Sequence, residues 1–551
     1  MTSSLRPKGD SHSALPRPTL SQITLNALVA TYILLALNAG YWTRLFDLFG
    51  GHLVSLAAFA AASWALTFLL LELMGPWRLQ RPVAALLIIM AAAANYYERT
   101  FGILIDREMV RNVMETTVTE SKHLITSAMI WKIGLTGVLP AVLVFWPVVR
   151  RRRGVHQLWR WPAGVALGFA VMVGGLLVDF KSFSATLRER HDLMGAYQPG
   201  ATLNALRRYA FDQWKTAEPV AKPYGTDAVP GPNLAKTTKP VLLVLFVGET
   251  VRAQNWGLNG YSRNTTPELA KRNVINFTDV LSCGTSTAVS VPCMFSHLNQ
   301  ATYSREKFLK SENLVDILAR SGFDVQWWDN NTGDQKVAKR IGFTKIKADI
   351  APEACEDECT DEAFLPIIRK TAETMTKNTV LVLHMIGSHG PAYYLRYAPE
   401  RATFQPECKT TQFSECTPEA IVNTYDNSIL ETDHVLGQTI DLLKGADRVT
   451  PAMIYLSDHG ESLGENGLYL HAAPMFMAPE EQRKVPMVMW IDPEFGTTLD
   501  VDTVCLTSAT SKPASQDNLF HTVLGLLDVT TSVRDPALDL TEACKSTLAQ
   551  N

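Results

Sequence analysis

Charge is sparse in this chain of 551 residues. Asp, Glu, Lys and Arg make up 19% of it and mean hydropathy is +0.02, where a soluble protein usually carries ~25% charged residues. An ordinary cytosolic enzyme is thereby excluded. Positive charge is not in excess either, since 51 basic residues face 54 acidic ones for a net charge of −3. No strongly basic nucleic-acid binder has that balance, so no nucleic-acid partner is expected. Cysteine is missing from the first 282 residues, and all eight lie in the second half, at 283, 293, 355, 359, 408, 416, 505 and 544. An even number confined to one half points to an oxidising compartment for that half. Near the N-terminus no small-residue cleavage site follows a short apolar core, so the first apolar run reads as an uncleaved anchor and not as a signal peptide.

Long apolar runs are what the sequence does have. They cover Ile23 to Tyr41, Leu53 to Met74, Val83 to Tyr97, Ile133 to Val149 and Ala163 to Val178, most of them near the ~17 to 25 residues that span a bilayer. Five transmembrane helices are expected, the third short enough to be re-entrant and the fourth with Lys132 at its edge. Basic residues gather before the first run (Arg6, Lys8, Arg17), between the second and third (Arg78, Arg81) and between the fourth and fifth (Arg150 to Arg153). The positive-inside rule makes those segments cytoplasmic, which puts everything after about Lys181 across the membrane. The segment from Glu98 to Lys122, with Arg99, Arg107 and Arg111, sits uneasily outside under that rule. The expected organisation is a cytoplasmic segment 1–22, a transmembrane domain 23–182, a bridging helix and linker 183–240, and a periplasmic catalytic domain 241–551. Residues 217–240 are rich in Pro, Gly and small polar residues without periodicity, as in a linker.

The last domain opens on VLLVLFVGET (241–250), a continuous apolar run of the kind buried on both faces in a parallel sheet. NTVLVLHMIGSHG (378–390) and PAMIYLSDHGES (451–462) repeat the pattern. Helical stretches such as 417–443 alternate with them, so the class is α/β. Each run ends in His, Asp or Glu beside Gly, and in open sheets ligands collect at the carboxyl ends of the strands. Glu249, Asp458, His459, His389 and His471 offer the carboxylate and imidazole ligands that suit zinc. One strand-end Glu, or Asp458 beside His459, is as readily a loop polar group. Three separate runs ending alike are what argue for a site. Between the first two runs, SCGTSTAVSVPCMFSHL (282–298) sets hydroxyls before a helical stretch. A hydroxyl there is most often a cap; it can also be a nucleophile whose phosphate the helix N-terminus stabilises. Spacing does not choose among Thr285, Ser286 and Thr287.

GETVRAQNWGLNGY (248–261), SCGTSTAVSVPCMFS (282–296), WWDNNTG (327–333), GSHGPAYYLRY (387–397) and SDHGESLGENGLYLH (457–471) closely resemble blocks of the phosphoethanolamine transferases that modify lipid A, the mobile colistin-resistance enzymes among them. The likeness covers nearly the whole chain. It implies an N-terminal five-helix transmembrane domain and a periplasmic α/β domain of alkaline-phosphatase/sulfatase type. It also implies a zinc ion on Glu249, Thr287, Asp458 and His459, with Thr287 as nucleophile. His389 and His471 would lie close to the metal, binding phosphate or a second zinc and protonating the leaving alcohol. RNVMETTVTES (111–121) resembles the family's periplasmic stretch beside the substrate, which makes Asn112, Thr116 and Glu120 candidate contacts. Thr332 stands where the family often has Ser. After DNN the family runs on to a Lys that meets the substrate phosphate, but here TGDQKVAKR puts Gln335 at that place and Lys336 one position later. Proximity and resemblance together imply the disulfides Cys283–Cys293, Cys355–Cys359 and Cys408–Cys416, and leave open whether Cys505 and Cys544 form a fourth.

The implied reaction moves phosphoethanolamine from phosphatidylethanolamine to a lipid A phosphate through a covalent threonine intermediate, catalysed by a monomer in the inner membrane. The same residues leave open another acceptor, such as a core heptose of lipopolysaccharide or a periplasmic glucan. They also leave open a membrane-anchored phosphodiesterase or phosphoglycerol transferase.

Overall fold

The computed structural model describes residues 17–74, 77–115, 122–150, 155–215, 220–355 and 358–545. They fall into two compact units, one made of residues up to 99 with 127–203, the other of 100–126 with 204–551.

In the first unit helices cover the apolar runs. Leu53–Met74 and Trp159–Val178 are long and apolar enough to cross a membrane; Gln22–Ala36 and Ala39–Phe49, bent by 73° at their break, make a third span if taken together. Gln80–Phe101 runs 22 residues, so its apolar core is extended by polar turns at both ends. The fourth run differs from its expected bounds. Its helical part is Ser127–Leu143, with a π-helical turn at Gly134–Val138, while Val148–Val149 pairs with Thr19–Leu20 as a short ribbon. Lys132 therefore sits inside a helix, where its ammonium lies 5.6 Å from the centre of the Tyr96 ring, within cation–π range. Helices 53–74 and 155–178 pack against each other closely: a Cβ at Gly175 would come within 2.7 Å of the Ala58 carbonyl oxygen, so only glycine permits this approach.

The second unit is built on an eight-stranded sheet in the order Ala514–Ser515, Ile275–Leu281, Lys484–Ile491, Thr450–Ser457, Val241–Gly248, Thr379–His384, Asp324–Asp329, Thr344–Lys345. Strand 241–248 is central and runs parallel to both of its neighbours, 379–384 and 450–457. All three are buried on both faces, which is why each reads as an unbroken apolar run. On one face Val241, Leu243, Leu245 and Val247 join a core with Leu519, Phe520 and Val523. On the other, Phe246 meets Phe364 edge-on with centroids 6.3 Å apart. Helix Pro418–Lys444 packs against strand 450–457. It starts where the Thr417 hydroxyl accepts from the Ala420 N–H with Pro418 in the first turn, both standard start signals.

Four disulfides join Cys283–Cys293, Cys355–Cys359, Cys408–Cys416 and Cys505–Cys544. The last closes 39 residues and the second only 4, so loop-closure entropy gives about 4 and about 2 kcal/mol respectively. Replacing Cys505 and Cys544 by Ser should therefore lower the thermal midpoint of the detergent-solubilised chain more than replacing Cys355 and Cys359. Equal midpoints in scanning fluorimetry would contradict this ranking.

Candidate functional site

The three parallel central strands deliver their polar residues to one end of the sheet. Glu249 follows strand 241–248, and Asp458 and His459 follow strand 450–457, all three with no exposed surface. Their ligand-capable atoms lie within 4.8 Å of one another. His459 Nε2 is 3.4 Å from Glu249 Oε1 and 3.4 Å from Asp458 Oδ2. Thr287 is the first residue of helix Thr287–Met294 and is half-buried. Its hydroxyl donates to Glu249 Oε2 at 3.0 Å and lies 3.4 Å from His459 Nε2. The structure thus brings together the four residues implied as metal ligands, and of the three hydroxyls it is Thr287 that faces them. Thr285 turns away, donating to the Ala473 carbonyl.

These groups fit a divalent cation. Asp458 Oδ1 accepts from the Thr250 and His459 N–H groups, whereas Oδ2 is buried with no hydrogen-bond partner among the described residues. A buried, unpartnered carboxylate oxygen aimed at a second carboxylate is costly. Burial first, and the charge of Glu249 second, push the Asp458 carboxyl well above the usual carboxylate range. A cation between them removes that conflict. The histidine is oriented to ligate the same cation. Its Nδ1 lies 2.9 Å from the Gly460 carbonyl and donates to it, which leaves Nε2 with its lone pair toward the cluster. Burial holds its pKa at about 3, with His471 adding to the shift, so the imidazole is neutral, the form that ligates.

His389 and His471 border the cluster. The His471 ring centroid is 4.4 Å from that of His459 and 5.6 Å from that of His389. His471 Nδ1 is 3.1 Å from Glu461 Oε2, and Glu461 Oε1 accepts from the Tyr393 hydroxyl at 3.0 Å. The loop bearing His389 leaves strand 379–384 through Gly387, at φ 49°. A Cβ there would lie 2.5 Å from the Glu249 carbonyl oxygen, so the glycine of GSHG lets the loops carrying Glu249 and His389 touch.

Other expected contacts are placed less centrally. Asn112 is on helix Arg107–Glu115, which packs against helix 287–294. Thr116 and Glu120 lie outside the described residues. Thr332 Oγ1 accepts from Gln335 Nε2 at 3.2 Å. Gln335 is buried, whereas Lys336 is exposed and lines a cavity beside Thr285 and Ser286. Several groups went unassigned in the sequence. Asn331 donates to Glu249 Oε2 at 2.8 Å and to the Met385 carbonyl at 2.8 Å. Gln516 donates to the Ser457 and Asp458 carbonyls and accepts from the Cys283 N–H. Asn331 stands in the WWDNNTG block, but no local pattern marks Gln516.

A doubly covered α/β sheet with a carboxylate–carboxylate–imidazole cluster facing a helix-terminal hydroxyl defines a sulfatase-type fold, and the sulfatase family model matches residues 242–529. A second family model, described as phosphoethanolamine transferase EptA/EptB, matches residues 63–214. The chain is 37% identical over 543 residues to phosphoethanolamine transferase EptA of Escherichia coli (strain K12), covering 96% of this chain and 98% of that one. To phosphatidylethanolamine transferase Mcr-1 of Escherichia coli it is 33% identical over 536 residues, 93% and 96% of the two chains. Its structure matches the integral membrane lipooligosaccharide phosphoethanolamine transferase A (EptA) from Neisseria meningitidis with a TM-score of 0.91 and 33% identity, over 96% of this chain and 99% of that one. The chain belongs to the EptA family of phosphoethanolamine transferases. The family and the two-part fold read from the motifs are therefore correct.

Asp458→Asn keeps the side chain's shape while removing its charge. It should lose bound divalent metal, read by elemental analysis of the purified full-length protein, with circular dichroism unchanged. Metal retained at the wild-type level would show that the ion sits elsewhere.

Proposed function

We propose that this protein transfers phosphoethanolamine from phosphatidylethanolamine to a phosphate of lipid A through a covalent intermediate on Thr287. It acts as a monomer in the Gram-negative inner membrane with its catalytic unit in the periplasm. The observation that carries the reading is the Thr287 hydroxyl directed at Glu249 and His459, next to the free Asp458 oxygen, in a chain related over nearly its whole length to named phosphoethanolamine transferases. The neisserial relative's name adds a lipooligosaccharide acceptor.

Glu249, Thr287, Asp458 and His459 would hold zinc, which when bound supplies Lewis-acid stabilisation of phosphoryl charge and favours the Thr287 alkoxide. The Thr287 oxygen attacks the donor phosphorus, its bond to the diacylglycerol oxygen breaks, and the proton lost by the hydroxyl ends on the diacylglycerol. His389 and His471, whose rings border the cluster, hand that proton on and bind phosphate oxygens in this reading. In the second half an oxygen of the acceptor phosphate attacks the phosphothreonine, Thr287 leaves, and the acceptor's proton returns to it. Glu461 buried behind His471 Nδ1 fixes that ring's orientation. The added amine offsets negative phosphate charge at the cell surface and weakens binding of cationic peptides such as polymyxins.

Mass spectrometry of lipid A from a Gram-negative host should show one added phosphoethanolamine group with the wild type and none with Thr287→Ala. Transfer persisting in Thr287→Ala would overturn the nucleophile. Unmodified lipid A with both folded proteins would instead favour a core sugar or glucan acceptor.

A further inference from the structure

A cavity of about 1010 Å³ opens within the larger unit beside the nucleophile loop, at the top of the roughly 300–1,000 Å³ range of small-ligand pockets. Thr285 and Ser286 line it, and so do side chains from helix Arg107–Glu115, from residues 204–215, from helix Arg305–Leu309 and from the loop after Asn331. Seven cationic side chains line it against five acidic ones.

Four of the five acids face cations, although Glu115 Oε2 itself has no hydrogen-bond partner among the described residues. Glu108 and Asp212 face Arg107 and Arg111, Glu115 faces Arg305, and Glu306 faces Lys215. Asp106 caps its helix by accepting from the Met109 N–H. Arg208, Lys336 and Lys339 remain, all exposed, and none has an ion-pair or hydrogen-bond partner among the described residues. Three like charges around one cavity repel one another, and a ligand carrying several negative charges relieves that repulsion. Phosphatidylethanolamine is a poor match, because its single phosphate is balanced by its own ammonium and is consumed at Thr287. The surplus charge suits the other substrate.

We infer that this cavity docks the phosphorylated sugar headgroup of an anionic glycolipid acceptor, with Arg208 and Lys339 as specificity-determining cations beside Lys336. The inference rests on the proposed transfer reaction and deepens it: the acceptor is selected for carrying more phosphate than the one that reacts. Guanidinium and ammonium groups at the rim hold the remaining phosphate while the reacting one reaches Thr287.

The test uses the full-length protein in mixed micelles with phosphatidylethanolamine and either a bis-phosphorylated or a monophosphorylated lipid A-type glycolipid. In the double variant Arg208→Gln/Lys339→Gln, KM for the bis-phosphorylated acceptor should rise by roughly tenfold or more and its salt dependence should flatten. The preference for the bis-phosphorylated over the monophosphorylated acceptor should shrink with it. The charge-keeping pair Arg208→Lys/Lys339→Arg should return KM to near the wild-type value. An unchanged acceptor KM in the double Gln variant overturns the inference, as does a raised KM that the charge-keeping pair fails to rescue. A KM difference that appears only when phosphatidylglycerol is added assigns the cations to bulk anionic lipid and also overturns it. Diacylglycerol released in the first turnover needs no acceptor and is read separately. Its absence with the wild type defeats the transfer reaction itself, and the inference with it.

Discussion

Two carboxylates, from Glu249 and Asp458, end neighbouring parallel strands with no exposed surface and point toward one imidazole. Placing two like charges there without a cation opposes folding, since each loses its hydration and repels the other. The surrounding structure resists their relaxation. Asn331 and Thr250 donate to Glu249, and the Thr250 and His459 N–H groups fix one oxygen of Asp458. The oxygen that no protein group satisfies faces the space between the ligands. Negative groups held at fixed separation by surrounding hydrogen bonds are preorganised, and preorganised charge needs no reorganisation at the moment of reaction.

Two buried glutamines extend that rigidity to the loops around the cluster. Gln516 ties the Ser457 and Asp458 carbonyls to the Cys283 N–H, so the end of strand 450–457 and the loop before Thr287 are hydrogen-bonded through one side chain. Gln482 donates to the Ser462 hydroxyl and the Leu470 carbonyl and accepts from the Ala473 N–H. It thereby spans the segment carrying His471, whose neighbours Leu470 and Ala472 both have positive φ. Such backbone costs about 1 kcal/mol or more per residue and persists only where neighbours enforce it. Each amide satisfies donor and acceptor at once across two loops, and no hydrocarbon side chain of that size could replace it without orphaning backbone groups. The Cys283–Cys293 bridge adds a covalent tie from the loop to its own helix.

How much of this is legible in the sequence follows from what leaves a periodic trace. The central strands are legible because burial on both faces makes them continuous apolar runs, and their terminal Glu249, Asp458 and His459 stand out against that background. Thr287 is not legible by spacing: Thr285 and Ser286 lie in the same turn, and only the direction of each hydroxyl separates them. The four cysteine pairs rest on proximity and resemblance, which carry no geometry of their own. Gln516 and Gln482 are invisible because an amide hydrogen-bonding across loops has neither a sequence period nor a local partner. The fourth apolar run misleads at its end, since Val148 and Val149 are apolar by composition yet extended and paired. Gln335 and Lys336 likewise stand at adjacent positions with opposite fates: at positive φ both, the first turns inward to Thr332 and the second outward to the cavity.

The division of the chain also bears on what each part contributes. Every group of the candidate metal cluster follows residue 241, whereas Arg107, Arg111 and Arg208 come from segments that precede it and fold into the same unit. The groups around Thr287 come from the strands and their loops. The cationic wall draws on helix Arg107–Glu115, which lies between the apolar helices in the sequence, and on residues 208–215, which follow them. A fragment beginning at 241 keeps Glu249, Thr287, Asp458 and His459 yet lacks two walls of the cavity. The proposed metal cluster and the proposed acceptor cavity thus draw on separate stretches of the sequence although both lie in one unit. The separation has a physical reason: a phosphoryl-transfer centre demands buried, rigid ligands, whereas recognition of a polyanionic headgroup demands exposed cations that stay hydrated until the substrate arrives.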